Sequence, residues 1–192
     1  MKKIILASAS PRRREILSKY NINFEVISSD VDEKILPDEE PAQVAMALAF
    51  QKAYSIASKL DNNFIVLAAD TIVFKDEILG KPVDSIDALE MLNKLNGQIH
   101  QVITGIALIE TQTNKKIVDY EITNVKFKKI SKEKIERYIN TGEYTDKAGS
   151  YGIQGYGEIL IDWIEGSYSN AVGLPIAKID SIFEKYYNIN LL

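Results

Sequence analysis

Residues Phe64 to Phe74 (FIVLAADTIVF) constrain the fold more than any other stretch of the chain. The run is almost wholly apolar and rich in β-branched residues, a pattern that predicts a buried strand rather than a helix. Asp70 is its one charge. An unpaired carboxylate is costly to bury, so Asp70 needs a metal, a cation or exposure at a strand end. Its bland reading, a cap or turn aspartate, is weaker because no helix signal follows it.

Other elements arrange themselves around that strand. Ile4 to Ala7 reads as a short buried strand, and Ser10 followed by Pro11 is an N-cap and first helical residue that open a helix to about Tyr20. Phe24 to Ser28 reads as a strand that leads into the acidic loop Asp30-Val31-Asp32-Glu33. A loop between Pro37 and Pro41 starts a long helix to about Leu60, and Ile78 to Pro82 reads as a turn. Ser85 to Leu95 fits a helix that ends before Gly97. Ile99 to Ile109 and Ile117 to Ile130 read as two long strands joined by the polar turn Thr111-Gln112-Thr113-Asn114. In the second, Val118, Tyr120 and Ile122 share one parity while Val125 and Phe127 take the other, and a β-bulge near Asn124 accounts for the change. Ser131 caps a helix to Asn140. Gly142 to Gly157 is a glycine-rich structured loop, Ile159 to Ile164 a short apolar segment, and Leu174 to Tyr186 a helix. Strands and helices alternate and two long strands follow, which predicts a single α/β domain over residues 1–192 with a mixed sheet.

Composition removes several function classes. The chain has no cysteine, so disulfides, thiolate nucleophiles and iron–sulfur clusters are excluded, and a single histidine, His100, rules out a multi-histidine metal site. With 27 acidic and 23 basic side chains the net charge is −4, a poor basis for general nucleic-acid or anionic-membrane binding. The apolar start is too short for a signal peptide, and no run approaches the ~20 apolar residues of a membrane span, so a cytoplasmic protein is expected.

Three of the four arginines are consecutive, Arg12, Arg13 and Arg14, in the first turn of a predicted helix. The helix dipole disfavours cations there, so a compensating anion is expected. Free backbone amides, the Ser8 and Ser10 hydroxyls and one or two of the guanidiniums suit a phosphate; successive helical residues turn by ~100°, so all three arginines cannot point the same way. Lys52 falls on the apolar stripe of its helix with Ala45, Leu48, Ala49 and Ile56, and must either snorkel outward or reach an anion. Glu33 is either a solvated loop carboxylate or, with Asp70, half of an oxygen-ligand site for Mg²⁺ or Mn²⁺. Lys81 lies in Gly80-Lys81-Pro82, which is not a phosphate-cradling Walker loop: no glycine stands five residues before Gly80 and no Ser or Thr follows the lysine. His100 at a strand start reads as structural.

Several long segments resemble, in order, the Maf family of nucleotide pyrophosphatases. They are Leu6-Ala7-Ser8-Ala9-Ser10-Pro11-Arg12-Arg13-Arg14-Glu15-Ile16-Leu17, Ala68-Ala69-Asp70-Thr71-Ile72-Val73, Leu79-Gly80-Lys81-Pro82, the glycine-rich Gly142 to Gly149 and Tyr151 to Gly155, and Gly166 to Pro175. The resemblance implies an ITPase-like (Maf/Ham1) fold, with a mixed sheet flanked by helices, two lobes and a central cleft, and commonly a homodimer. It implies metal-dependent hydrolysis (Mg, Mn or Co) of nucleoside triphosphates to the monophosphate and pyrophosphate. By motif position it implies Asp70 as the catalytic base; Ser8, Arg13, Lys52 and Lys81 as phosphate ligands; Glu33 and Asp70 as metal ligands; and Arg12, Thr71 and Gln154 as specificity residues of the subgroup acting on dTTP and UTP. Gln154 also fits on chemistry, since its amide offers both a donor and an acceptor to the O4 and N3–H edge of uracil or thymine. Two readings compete: a 7-methyl-GTP pyrophosphatase, and a non-catalytic nucleotide-binding regulator of cell division.

Overall fold

In the computed structural model, which describes residues 2–29, 31 and 39–192, the apolar stretch is a strand as expected. In chain order the elements are β1 (Lys3–Leu6), α1 (Pro11–Leu17), β2 (Phe24–Val26), α2 (Pro41–Ala57), β3 (Phe64–Lys75), β4 (Glu77–Leu79), α3 (Ser85–Leu95), β5 (Ile99–Glu110), β6 (Lys116–Phe127), α4 (Lys132–Ile139), β7 (Ile161–Glu165), α5 (Tyr168–Val172) and α6 (Ile176–Tyr187). Among the described residues the strands form one mixed sheet in the order β2-β1-β3-β5-β6-β7, with β4 paired to β3. The fold is therefore α/β. None of the described helices is long and apolar enough to cross a membrane.

The chain divides into two compact units, one of Met1–Asp70, Thr104–Glu121 and Gly173–Leu192, the other of Thr71–Ile103 and Ile122–Val172. In the first, β1 lies between β2 and β3 and is parallel to both, with Leu6 opposite Val26 on one side and Leu67 on the other. Helix α1 starts as expected: Pro11 is its first residue and the Ser10 side chain accepts from Arg13 N. It stops at Leu17, sooner than expected, where Ser18 Oγ donates to Arg14 O. Helix α2 opens with a capping box between Glu40 and Gln43. Its small residues Ala49 and Ala53 pack with Ile5, Val66, Ala68 and Ala107 of the strands and with Ala7 just past β1, so helix and sheet approach closely. The approach leaves no room for a side chain at Gly105 of β5, where a Cβ would stand 2.2 Å from the Ala45 carbonyl of α2.

In the second unit, α3 spans the residues expected of it, because Asp84 caps the Ile86 and Asp87 amides. Ser131 caps α4 as expected. The unit's core gathers Val73, Leu92, Leu95, Phe127, Ile135, Tyr138, Tyr151 and Leu160, among others. The segment expected as a turn at 78–82 begins instead with the three-residue β4, which folds back antiparallel on β3. Asp76 makes the reversal in the left-handed region (φ 59°), which a short polar side chain tolerates. A strand this short leaves no readable period. The bulge expected near Asn124 is also corrected. Val118, Tyr120 and Ile122 are exposed, while Thr123, Val125 and Phe127 are fully buried. The two apolar sets lie on opposite faces of one unbroken alternation, and the irregular pairing with β7 comes later, between Lys126 and Phe127. The glycine-rich segment is ordered into three 3₁₀ turns, Glu143–Asp146, Ala148–Ser150 and Gly155–Leu160.

Candidate active site

Five of the expected site residues, Ser8, Arg12, Arg13, Lys52 and Asp70, belong to the first unit, on its parallel strands, the helices beside them or the turn between β1 and α1. From β1 the chain passes through α1 to β2 on one side, then through α2 to β3 on the other. The point between β1 and β3 is thus where the strand order reverses, and ligands of open α/β sheets bind beyond the carboxyl ends of strands at such a point. β1 ends at Leu6, and Ala7 N donates to Leu67 O at 2.8 Å. There the chain turns, with Ser8 N donating back to Leu6 O at 3.0 Å. β3 runs on to Lys75, so Asp70 occupies the part of the strand that β1 no longer flanks.

Alternation decides what Asp70 meets. Val66 and Ala68 face α2 in the core, and Asp70, two residues further, takes the same face. Lys52, one turn beyond Ala49 on α2, forms an ion pair with Asp70. Their side chains are only 15% and 11% exposed. The lysine on the apolar stripe therefore reaches an anion, and the strand aspartate has its cation.

Ser8 is buried and accepts a hydrogen bond from Ser10 N at 3.2 Å. Arg13 is fixed at both ends of its guanidinium: Nε donates to Gly173 O at 2.7 Å, and a terminal nitrogen donates weakly to Ser8 Oγ at 3.5 Å. This ties the first motif to the last, whose Gly173 directly precedes Leu174-Pro175. Arg12 is half-buried and Arg14 exposed, in line with the divergence expected of consecutive helical arginines. Glu33 lies outside the described residues.

Lys81, Thr71 and Gln154 belong to the second unit. Lys81 is exposed just after β4, and the preceding Gly80 carbonyl accepts from Gly149 N at 3.0 Å, so the lysine turn is fastened to the glycine-rich segment. Gly149 itself must be glycine, having φ +66° and no room for a Cβ, which would lie 2.9 Å from the Val73 side chain. Thr71 follows Asp70 in β3 and is half-buried. Gln154 is half-buried and extended (φ −93°, ψ 150°), and its side chain does not cap the 3₁₀ turn it precedes.

Glu143 did not stand out in the sequence. Its Oε2 accepts from Tyr156 N at 2.8 Å, and its Oε1 from Gly157 N at 2.9 Å and from the Tyr138 hydroxyl at 3.2 Å. The only signal that could have found it is its position one residue after Gly142, at the head of the glycine-rich loop. His100 has the structural role expected of it. It is 2% exposed, its Nε2 is 2.7 Å from the Tyr151 hydroxyl, and it stands edge-on to Phe127. Burial, helped by the charge of Lys75, pushes its pKa down to about 4.

The profile of the Maf-like protein family matches residues 3–186. A protein of Alkaliphilus oremlandii (strain OhILAs) named dTTP/UTP pyrophosphatase is 52% identical over 192 residues, all of this chain and all of the relative. A protein of the same name from Clostridioides difficile (strain 630) is 52% identical over 189 residues, covering 98% of this chain and 97% of the relative. Among solved structures, that of the Staphylococcus aureus Ham1 protein aligns with 84% of this chain and 81% of its own, at 16% identity and a TM-score of 0.49.

Proposed function

The chain belongs to the Maf-like protein family, and from that premise we propose that it is a nucleoside triphosphate pyrophosphatase that hydrolyses dTTP and UTP to the monophosphate and pyrophosphate. Two relatives of this name match it over essentially their whole length. The observation that carries the hydrolytic reading is the buried Lys52–Asp70 ion pair just past the end of β1. A carboxylate fixed by a lysine is the kind of group that can position and deprotonate a water.

The reaction adds water to the α-phosphorus and breaks the bond to the oxygen that bridges to the β-phosphate. Asp70 orients the water and takes its proton at a carboxylate oxygen, so that a hydroxyl oxygen meets the phosphorus. Lys52 holds Asp70 in place; an ammonium has three donors, so one lysine can serve the carboxylate and a phosphate oxygen together. Ser8 and Arg13 bind phosphate oxygens, with Arg13 held toward Ser8 by its bond to Gly173. Lys81 neutralises charge on the departing pyrophosphate. Arg12, Thr71 and Gln154 recognise the nucleotide, with the Gln154 amide paired to O4 and N3–H of the pyrimidine.

A divalent cation suits this donor set in one particular way. No group of three or more His, Asp or Glu able to hold a metal occurs among the described residues, so they do not build a cage for a resident ion. Mg²⁺ is commonly held by one or two carboxylates together with substrate phosphates, and Asp70, with Glu33 as the second carboxylate, is what such an ion needs. When bound, the ion neutralises phosphate charge and polarises the reacting groups. On this reading the protein works in the cytoplasm, on its nucleotide pool.

The test is a panel of nucleoside triphosphates assayed with Mg²⁺, Mn²⁺ or Co²⁺, scoring pyrophosphate against orthophosphate. dTTP and UTP should lead, with pyrophosphate as first product. A panel led by 7-methyl-GTP would overturn the base assignment, and orthophosphate as first product would overturn the reaction class.

A further inference from the structure

We infer that Glu143 is the positioning residue that holds Gln154 in place to read the base, an inference that rests on the role proposed above for Gln154. Gln154 sits in the middle of a segment pinned on both flanks to a single carboxylate. On its C-terminal side the Tyr156 and Gly157 amides donate to the two oxygens of Glu143, at 2.8 and 2.9 Å. On its N-terminal side Gly152 N donates to the Tyr138 hydroxyl at 3.3 Å, and that hydroxyl donates to Glu143 Oε1 at 3.2 Å. Gln154 is left in the span between, half-buried, with no cap bond from its own side chain.

The chain is drawn tightly over this carboxylate. Gly155 has φ +79°, and a Cβ there would stand 2.3 Å from Glu143 Oε2; a Cβ on Gly157 would stand 2.2 Å from the Gly152 carbonyl oxygen. Glu143 is itself held by the Lys147 ammonium, which donates to its backbone carbonyl at 2.6 Å. All three groups that meet the carboxylate are donors, and a carboxylate is an acceptor only, with about four lone-pair sites. A glutamine of the same shape would place an amide N–H against a backbone N–H. The network therefore requires glutamate, and losing it frees both flanks of Gln154 while the residues assigned to phosphate and water stay untouched.

The test is Glu143→Gln, assayed for KM and kcat on dTTP, UTP, CTP and GTP, alone and combined with Gln154→Ala. Glu143→Gln should raise KM for dTTP and UTP by about tenfold or more and flatten the preference over CTP and GTP, with the loss falling on KM rather than kcat. In the Gln154→Ala background it should add nothing further, since the two act as one unit. Tyr138→Phe, which releases only the Gly152 flank, should move KM the same way by less, and it carries the test if Glu143→Gln does not fold. An unchanged KM in the folded variant, or an equal rise with and without Gln154, overturns the inference. If Gln154→Ala alone leaves the base ranking intact, the reading of Gln154 has failed and the inference falls with it; a wild-type protein that releases no pyrophosphate from dTTP or UTP fails the proposed function itself.

Discussion

Gly105→Ala should damage both stability and turnover, although residue 105 carries no chemistry. The added Cβ would stand 2.2 Å from the carbonyl carbon and oxygen of Ala45 and 2.5 Å from Met46 N, where ordinary contact begins at 3.4 Å. The obstacle is helix backbone, which cannot rotate aside, so α2 must retreat by about 1.2 Å. Overpacking of this kind costs about 1–3 kcal/mol. For a chain of this size that lowers Tm by about 2–12 °C. Lys52 lies seven residues beyond Ala45, about two turns along the same helix, and its ammonium must keep its place against Asp70. A displacement near 1 Å at a positioning group can cost on the order of 100-fold in rate. Thermal unfolding followed by circular dichroism, together with kcat on dTTP, reads both effects. Gly80→Ala, where a Cβ meets nothing within 4 Å, serves as the stability control. A Gly105→Ala protein with wild-type Tm and kcat would refute the claim that this contact sets the height of α2 and the position of Lys52.

Other substitutions separate the roles of base, recognition and core residues. Asp70→Asn should keep the fold and lower kcat by about 10²–10⁴-fold, the range for loss of a general base; near-normal turnover would remove Asp70 from its role. Gln154→Glu places a carboxylate against O4, and should lower kcat/KM for dTTP and UTP by about 10–100-fold with a smaller effect on the binding of inorganic triphosphate; an unchanged base ranking would show that Gln154 does not read the base. His100 has its pKa pushed down to about 4 when folded, against 6.5 when free. The unfolded chain therefore takes up a proton across that window that the folded chain refuses, so the protein should be most stable above pH 6.5 and lose up to about 3 kcal/mol as pH falls toward 4. His100→Gln should flatten the part of the stability–pH curve that comes from this ring, and an identical slope in the variant would contradict it.

Local chemistry was legible in the sequence, and tertiary pairing was not. Ser10-Pro11 and Ser131 mark helix starts by their own local chemistry, and the starts lie where those residues put them. Asp70 within an apolar strand and Lys52 on an apolar stripe each signalled an unmet charge. That each answers the other depends on how closely Ala49, Ala53 and Ala68 let α2 approach β3, and no spacing rule encodes that distance. On β6 the exposed Val118, Tyr120 and Ile122 imitate a buried face, so parity alone suggested a bulge where the strand is regular. Glu143 was silent because its partners are backbone amides of a loop whose path only the folded chain defines.

In the proposed reaction water attacks the α-phosphorus. Hydrolysis of dTTP in ¹⁸O-labelled water, with mass analysis of both products, addresses it directly. One labelled oxygen should appear in the nucleoside monophosphate and none in the pyrophosphate; label in the pyrophosphate, or release of labelled orthophosphate, would place the attack elsewhere.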